Sequence, residues 1–137
     1  MKTVLIVDDD RKGAAGLTVR LKAAGYRVLS ATDGIEGLKL AIHHQPDLIV
    51  MDIWMPFGVG ILTAQRLKHI GLANVPVIFV TAGRKQDLRA IVEEVDPAGF
   101  FEKPYDAKQL VDTIDTLLTQ TCLLPAVAKP LRPSAAL

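Results

Sequence analysis

The stretch Val4–Asp10, VLIVDDD, decides the fold. Four apolar residues run directly into three carboxylates. A short, continuous apolar run is what a strand looks like when both faces of its sheet are covered. Carboxylates stacked at its end repel one another, so they face water or meet a positive partner. The strand therefore ends at a site or at a turn, and the rest of the chain shows which.

Four more short apolar runs follow, at Val28–Ala31, Leu48–Met51, Val75–Val80 and Gly99–Phe101. Helical spacing fills the gaps. Ala14, Leu17, Leu21 and Ala24 recur at threes and fours, and Gly25 is a stop signal. Asp33-Gly-Ile-Glu36 reads as a capping box opening a second helix, with Ile35, Leu38, Ala41 and Ile42 on one apolar face and Gln45-Pro46 at its end. Ile61, Ala64, Leu67 and Lys68 fit a third helix closed by Gly71. Leu88, Ile91, Val92 and Val95 fit a fourth, stopped by Asp96-Pro97. Asp106 with Gln109 opens a fifth, carrying Leu110, Val111, Ile114, Leu117 and Leu118. This is β-α five times over. It predicts an α/β, flavodoxin-like, doubly wound five-stranded parallel sheet of order 2-1-3-4-5 with five helices. Residues 1–121 make one domain, and 122–137, with Pro125, Pro130 and Pro133, read as a Pro-rich irregular tail.

The bulk numbers agree with one soluble domain: 137 residues, 50% hydrophobic, 23% charged, net charge +1. That charge does not argue for nucleic acid or an anionic membrane. The single cysteine, Cys122, excludes an internal disulfide and a cysteine-based metal site, and a cytoplasmic setting is the default. No signal-peptide pattern or membrane-length apolar run is present. His43, His44 and His69 are expected to be exposed.

In open parallel sheets ligands bind beyond the carboxyl ends of the strands. Asp8 and Asp9 follow strand 1, Asp52 follows strand 3, Thr81 strand 4, and Lys103 then Pro104 strand 5. Three carboxylates, a hydroxyl and an ammonium thus converge. An all-oxygen acidic set suits a hard cation, Mg²⁺ above all. A carboxylate can also attack phosphorus and form an aspartyl phosphate, with positive charge stabilising the transferred group. Taken singly, each residue has a plainer reading, as helix cap, strand end or surface charge. Their joint placement at the central strand ends is what carries the chemistry. Asp10 reads as the N-cap of the first helix.

VLIVDD, DLIVMDIWMP, VIFVTA and FFEKP, in that order, resemble the receiver domain of two-component response regulators, a chemotaxis-regulator-like phosphoacceptor family. The resemblance covers roughly residues 2–120. It implies Asp52 as phosphoacceptor, with a histidine kinase or phosphotransfer protein as donor. It implies Mg²⁺ held by Asp8, Asp9, Asp52 and the backbone carbonyl of Trp54. It further implies Thr81 and Lys103 contacting the phosphoryl group, a cis peptide before Pro104, and a switch involving Thr81 and Phe100. The readout face would be helix 4, strand 5 and helix 5, roughly Gln86–Leu118, with Arg84, Lys85, Arg89 and Lys108 on or beside it. Val59 stands where an acid is common, which bears on loop conformation, and Trp54 is expected to shield the acyl phosphate from water.

Output is then expected through an unknown downstream protein, since 17 residues past position 120 are too few for a helix-turn-helix domain. The chain reads as an independent receiver or as a piece of a longer regulator, and homodimerisation stays open. The module is expected to be no enzyme beyond self-phosphorylation from small donors and slow autodephosphorylation. Two alternatives remain. One is an Mg²⁺-dependent aspartate-nucleophile phosphatase, against which Trp54 stands where a second acid is usual. The other is a phosphorylation-independent binding module on the same fold. Finally, packing Asp8, Asp9 and Asp52 together is expected to strain the empty site, with Mg²⁺ and Lys103 as the offset.

Overall fold

A computed structural model describes residues 1–53, 63, 65–66, 71, 74–82 and 97–123. Its elements are β1 (Thr3–Val7), α1 (Arg11–Ala23), β2 (Arg27–Ala31), α2 (Gly34–His44), β3 (Leu48–Asp52), β4 (Val77–Thr81), β5 (Gly99–Glu102) and α3 (Ala107–Leu123). The third and fourth helices expected from sequence fall outside the described residues, apart from Thr63, Gln65 and Arg66, which are helical. The last expected helix is therefore α3 here. It runs to Leu123, past Cys122 and two residues into the expected tail.

The strands form one parallel sheet of order β2-β1-β3-β4-β5, as the alternation of elements implied. β1 and β3 lie side by side in its middle, with Val7 opposite Met51. Alternate residues point to opposite faces. Leu5, Val7, Ile49, Met51 and Phe79 pack toward α2 and Ala41. Val4, Ile6, Leu48, Val50 and Ile78 pack against Leu17 and Leu21 of α1 and Leu110 and Ile114 of α3. Both faces are covered, so the central strands carry no polar alternation.

Each helix start follows its capping chemistry. Asp10 caps α1 by accepting the Gly13 N–H at 3.2 Å, and Gly25 follows that helix with φ +96°. Asp33 accepts the Glu36 N–H at 2.8 Å, and Glu36 reaches back to the Thr32 N–H at 3.0 Å. The reciprocal pair is thus present with the return bond one residue earlier than in the standard box. Asp106 accepts the Lys108 N–H at 2.9 Å and the Gln109 N–H at 3.4 Å. α2 ends at Gln45, in the left-handed region at φ +45°, just before Pro46.

The expected apolar face of α2 needs correcting. Ile35 is 71% exposed and Ile42 51% exposed, while Gly34, Gly37 and Ala41 are buried. The cause is close approach: a Cβ at Gly37 would lie 2.8 Å from Val7 Cγ2, nearer than atoms can pack. α2 seats its small residues on β1, and its larger apolar residues at 35 and 42 turn outward. Ala24, expected in the apolar stripe of α1, is exposed as its C-cap. β4 begins at Val77, two residues later than expected, because Pro76 has no N–H to give to a ladder. His43 and His44 are exposed as expected, and His69 lies outside the described residues. Among the described residues no helix is long and apolar enough to cross a membrane.

Candidate functional site

The sheet brings Asp8, Asp52, Thr81 and Lys103 to one edge. Asp8 follows β1, and its N–H donates to the Ala31 carbonyl at 3.0 Å, so the strand pairing carries through to it. Asp52 and Thr81 are the last residues of β3 and β4. Lys103 follows β5, and its N–H donates to the Thr81 carbonyl at 2.6 Å, fastening the two strand ends together. The Lys103–Pro104 peptide bond is cis.

The acids are deep. Asp8 is 5% exposed, Asp52 3% and Thr81 fully buried. Carboxylates at that depth require a cation or hydrogen bonds. Lys103 Nζ lies 3.0 Å from Asp8 Oδ2, 3.2 Å from Asp8 Oδ1 and 3.2 Å from Asp52 Oδ2. The Asp10 N–H adds a 2.8 Å bond to Asp8 Oδ1. Burial by itself pulls the Lys103 pKa down and is the largest single influence. The Asp8 hydrogen bond, the charges of Asp52 and Asp8 and the Asp52 hydrogen bond together outweigh it, so Lys103 sits above the ordinary lysine value. Burial, helped by the charge of Asp8, also raises the Tyr105 phenol.

One ammonium therefore bridges two of the three acids. Lys103 thus stands against the acids as the expected offset, besides the phosphoryl contact the resemblance implies. Its bond to Asp8, 95 residues away, has no local signature.

Asp9 is exposed, yet one carboxylate oxygen from each of Asp8, Asp9 and Asp52 lies within 4.8 Å of the others. Asp10, by contrast, turns its side chain to the first turn of α1. Phe100 is partly buried against the α2 side of the core, opposite Phe79 in the ladder. A cavity of about 460 Å³ opens beside Asp8 and Lys103, between α1 and the Pro104–Tyr105 segment. Trp54, Val59, Arg84, Lys85 and Arg89 lie outside the described residues, as does Gln86 at the start of the expected readout face; Lys108 is exposed on α3.

Residues 4–115 match the family model of the response regulator receiver domain. The chain belongs to the response regulator receiver family. Receivers are the phosphoacceptor modules of two-component signalling and are not enzymes in the turnover sense. This receiver is 34% identical over 119 residues to the protein PilH of Pseudomonas aeruginosa, covering 86% of this chain and 98% of PilH. It is 36% identical over 132 residues to the transcriptional regulator RpaA of Synechocystis, covering 94% of this chain and 54% of RpaA. The receiver thus spans about half the length of several of the curated relatives it matches. In structure it is similar to the N-terminal domain of an uncharacterized protein from Wolinella succinogenes, with TM-score 0.82, 30% identity, and coverage of 89% of this chain and 98% of that one. The receiver domain of a modulated diguanylate cyclase from Desulfovibrio desulfuricans gives TM-score 0.77 and 33% identity, covering 90% and 98%.

Proposed function

We propose that Asp52 accepts a phosphoryl group from a phosphohistidine on a histidine kinase or phosphotransfer protein. The observation that carries this reading is the pairing of buried Asp52 with Lys103 Nζ at 3.2 Å, beside Asp8 at the central strand ends. An Asp52 carboxylate oxygen attacks phosphorus, the P–N bond of the phosphohistidine breaks, and the imidazole leaves with its electron pair. The product is a mixed anhydride, an aspartyl phosphate.

The donor set fits Mg²⁺: three carboxylates, all oxygen, with ligand atoms within 4.8 Å. Asp8, Asp9 and Asp52 would hold it, with the Trp54 backbone carbonyl as a further ligand. When bound, Mg²⁺ supplies positive charge to the phosphoryl oxygens. The chain's own residues do the rest. Lys103 pairs with the transferred group. The Thr81 hydroxyl hydrogen-bonds it. Phe100 follows Thr81 between two positions, and this two-state change alters the face running from about Gln86 to Leu118 for a downstream protein. Residues 1–121 act as the receiver unit and 122–137 as a tail.

Incubation with acetyl phosphate and Mg²⁺, read by intact mass, tests this. The parent should gain one phosphoryl group, chelation should prevent the gain, and Asp52→Ala should show none. Equal labelling of Asp52→Ala would overturn the assignment.

A further inference from the structure

β2 is an end strand of the sheet, and its outer edge is open to pairing. The Arg27 N–H donates inward to the Lys2 carbonyl at 2.9 Å, and the Ala31 carbonyl accepts from the Asp8 N–H at 3.0 Å. Successive residues of a strand turn their backbone groups to opposite sides, so Val28 and Ser30 present N–H and C=O away from β1. The donors on either side are occupied. The Tyr26 N–H goes to the Leu21 carbonyl and the Thr32 N–H to Glu36 Oε1, both at 3.0 Å. Of the usual guards of an open edge, β2 has no proline, no bulge and one charge, Arg27.

Apolar surface gathers around the same edge. α1 and α2 both pack on β2, one on each face of the sheet. Apart from Met1, the exposed large apolar side chains among the described residues are Val19 on α1 and Ile35 and Ile42 on α2, at 68%, 71% and 51% exposure. Charge completes the pattern. Arg27 opens the strand, Asp33 and Glu36 lie just past its other end, and all three are exposed.

We propose that β2 is a self-pairing edge: two copies of this chain join β2 to β2, antiparallel about Leu29, in one continuous sheet. In that register Val28 faces Ser30 of the second copy, and the two exchange N–H and C=O. The two-fold symmetry repeats the exchange on the other side of Leu29. Leu29, half-buried on the α2 face, meets its own copy in the closer, non-bonded kind of pair. Arg27 comes opposite Ala31 and diagonal to Asp33 of the second copy, and the same ion pair recurs at the far end. The two-fold axis stands perpendicular to the sheet. It sets α1 beside α1 and α2 beside α2 run end for end, so Val19, Ile35 and Ile42 lie on the helices that meet at the join. A foreign peptide strand could use the backbone groups. A reversed copy of this edge also repeats the Arg27–Asp33 match at both ends, and that complementarity selects the second copy. The join lies at the edge opposite β5, so it does not compete with the readout face proposed above.

Sedimentation velocity of the full chain, from micromolar to millimolar protein, tests this in the parent, Ser30→Pro and Arg27→Glu. The parent should pass from monomer to dimer and no further, since a two-fold contact closes on itself. Ser30→Pro removes an outward N–H that the ladder with β1 does not use, so the fold tolerates it. It should weaken the dimer by at least about tenfold. Arg27→Glu sets like charge against Asp33 and Glu36 and should weaken it by about threefold or more, less so in high salt. The Val28 N–H of the parent should exchange with solvent more slowly in concentrated than in dilute samples. A parent that stays monomeric throughout, as an edge reserved for a peptide would, overturns the proposal. So does a dimer that Ser30→Pro leaves equally tight, or assembly that grows beyond the dimer. Where Ser30→Pro does not fold, Arg27→Glu and the Val28 N–H decide, and a dimer as tight as the parent's with exchange independent of concentration overturns the pairing.

Discussion

Two groups of aspartates occupy the same edge of this sheet and do different work. Asp8 and Asp52 end the neighbouring central strands β1 and β3, are buried, and share Lys103. Asp10, Asp33 and Asp106 stand a residue or more beyond their strands, are exposed, and accept backbone N–H groups at the starts of α1, α2 and α3. Residue type is the same in both groups. The difference is the place in the chain: a carboxylate at the mouth of a central strand meets the other strand ends, while one just before a helix meets that helix's unpaired donors. Within VLIVDDD both fates occur two residues apart.

Several substitutions probe that division, from the largest effect to the smallest. Asp52→Ala should abolish acetyl phosphate labelling, because it removes the carboxylate proposed to attack phosphorus. Asp8→Asn should cut labelling at fixed, sub-saturating Mg²⁺ by about tenfold or more, as loss of a ligand or its support commonly does. It should also lower the Lys103 pKa toward the ordinary range, readable by NMR titration, since the Asp8 hydrogen bond is the main influence raising it.

Alkaline stability separates the groups as well. Lys103 and Tyr105 both have raised pKa values in the fold, so the folded state holds their protons more tightly than the unfolded chain does. Their contribution is present in full below about pH 10, the ordinary range of both side chains, and is lost as pH rises through the raised values. Tyr26, raised by burial and by its bond to Asp115, acts in the same direction. Thermal melts from neutral pH upward should therefore show stability falling above about pH 10, and Tyr26→Phe should flatten part of that fall.

Asp33→Ala should cost about 1 kcal/mol of stability, the usual worth of an N-cap, with labelling of the folded fraction unchanged. Asp10→Asn keeps both a capping side chain and the N–H that holds Asp8. It should alter neither melting temperature nor labelling measurably. A large loss of labelling in Asp10→Asn would erase the line between the two groups.

Much of this was legible in the sequence because it is local or periodic. The strand runs, the caps at Asp10, Asp33 and Asp106, and the stop at Gly25 each sit within a few residues of their cause. The sheet order followed from alternation and crossover handedness. Placing the candidate residues then needed only the rule that strand ends carry the site. What could not be read was long-range or depended on absence. Counting large apolar residues turned α2 the wrong way, because the packing contact there is Gly37 on Val7, and a missing side chain gives no periodic signal. The bond from the Tyr26 hydroxyl to Asp115 joins the turn after α1 to α3 across 89 residues. That Lys103 offsets the acids was legible from the strand ends, but that its ammonium bonds both Asp8 and Asp52 shows only once the strands lie in one sheet.

The most direct test of the central claim is to trap the anhydride itself. Protein treated with acetyl phosphate and Mg²⁺, then reduced with sodium borohydride and digested, should yield homoserine at position 52 and at no other aspartate. Homoserine at another position, or a phosphoryl label that survives reduction unchanged, would contradict an aspartyl phosphate on Asp52.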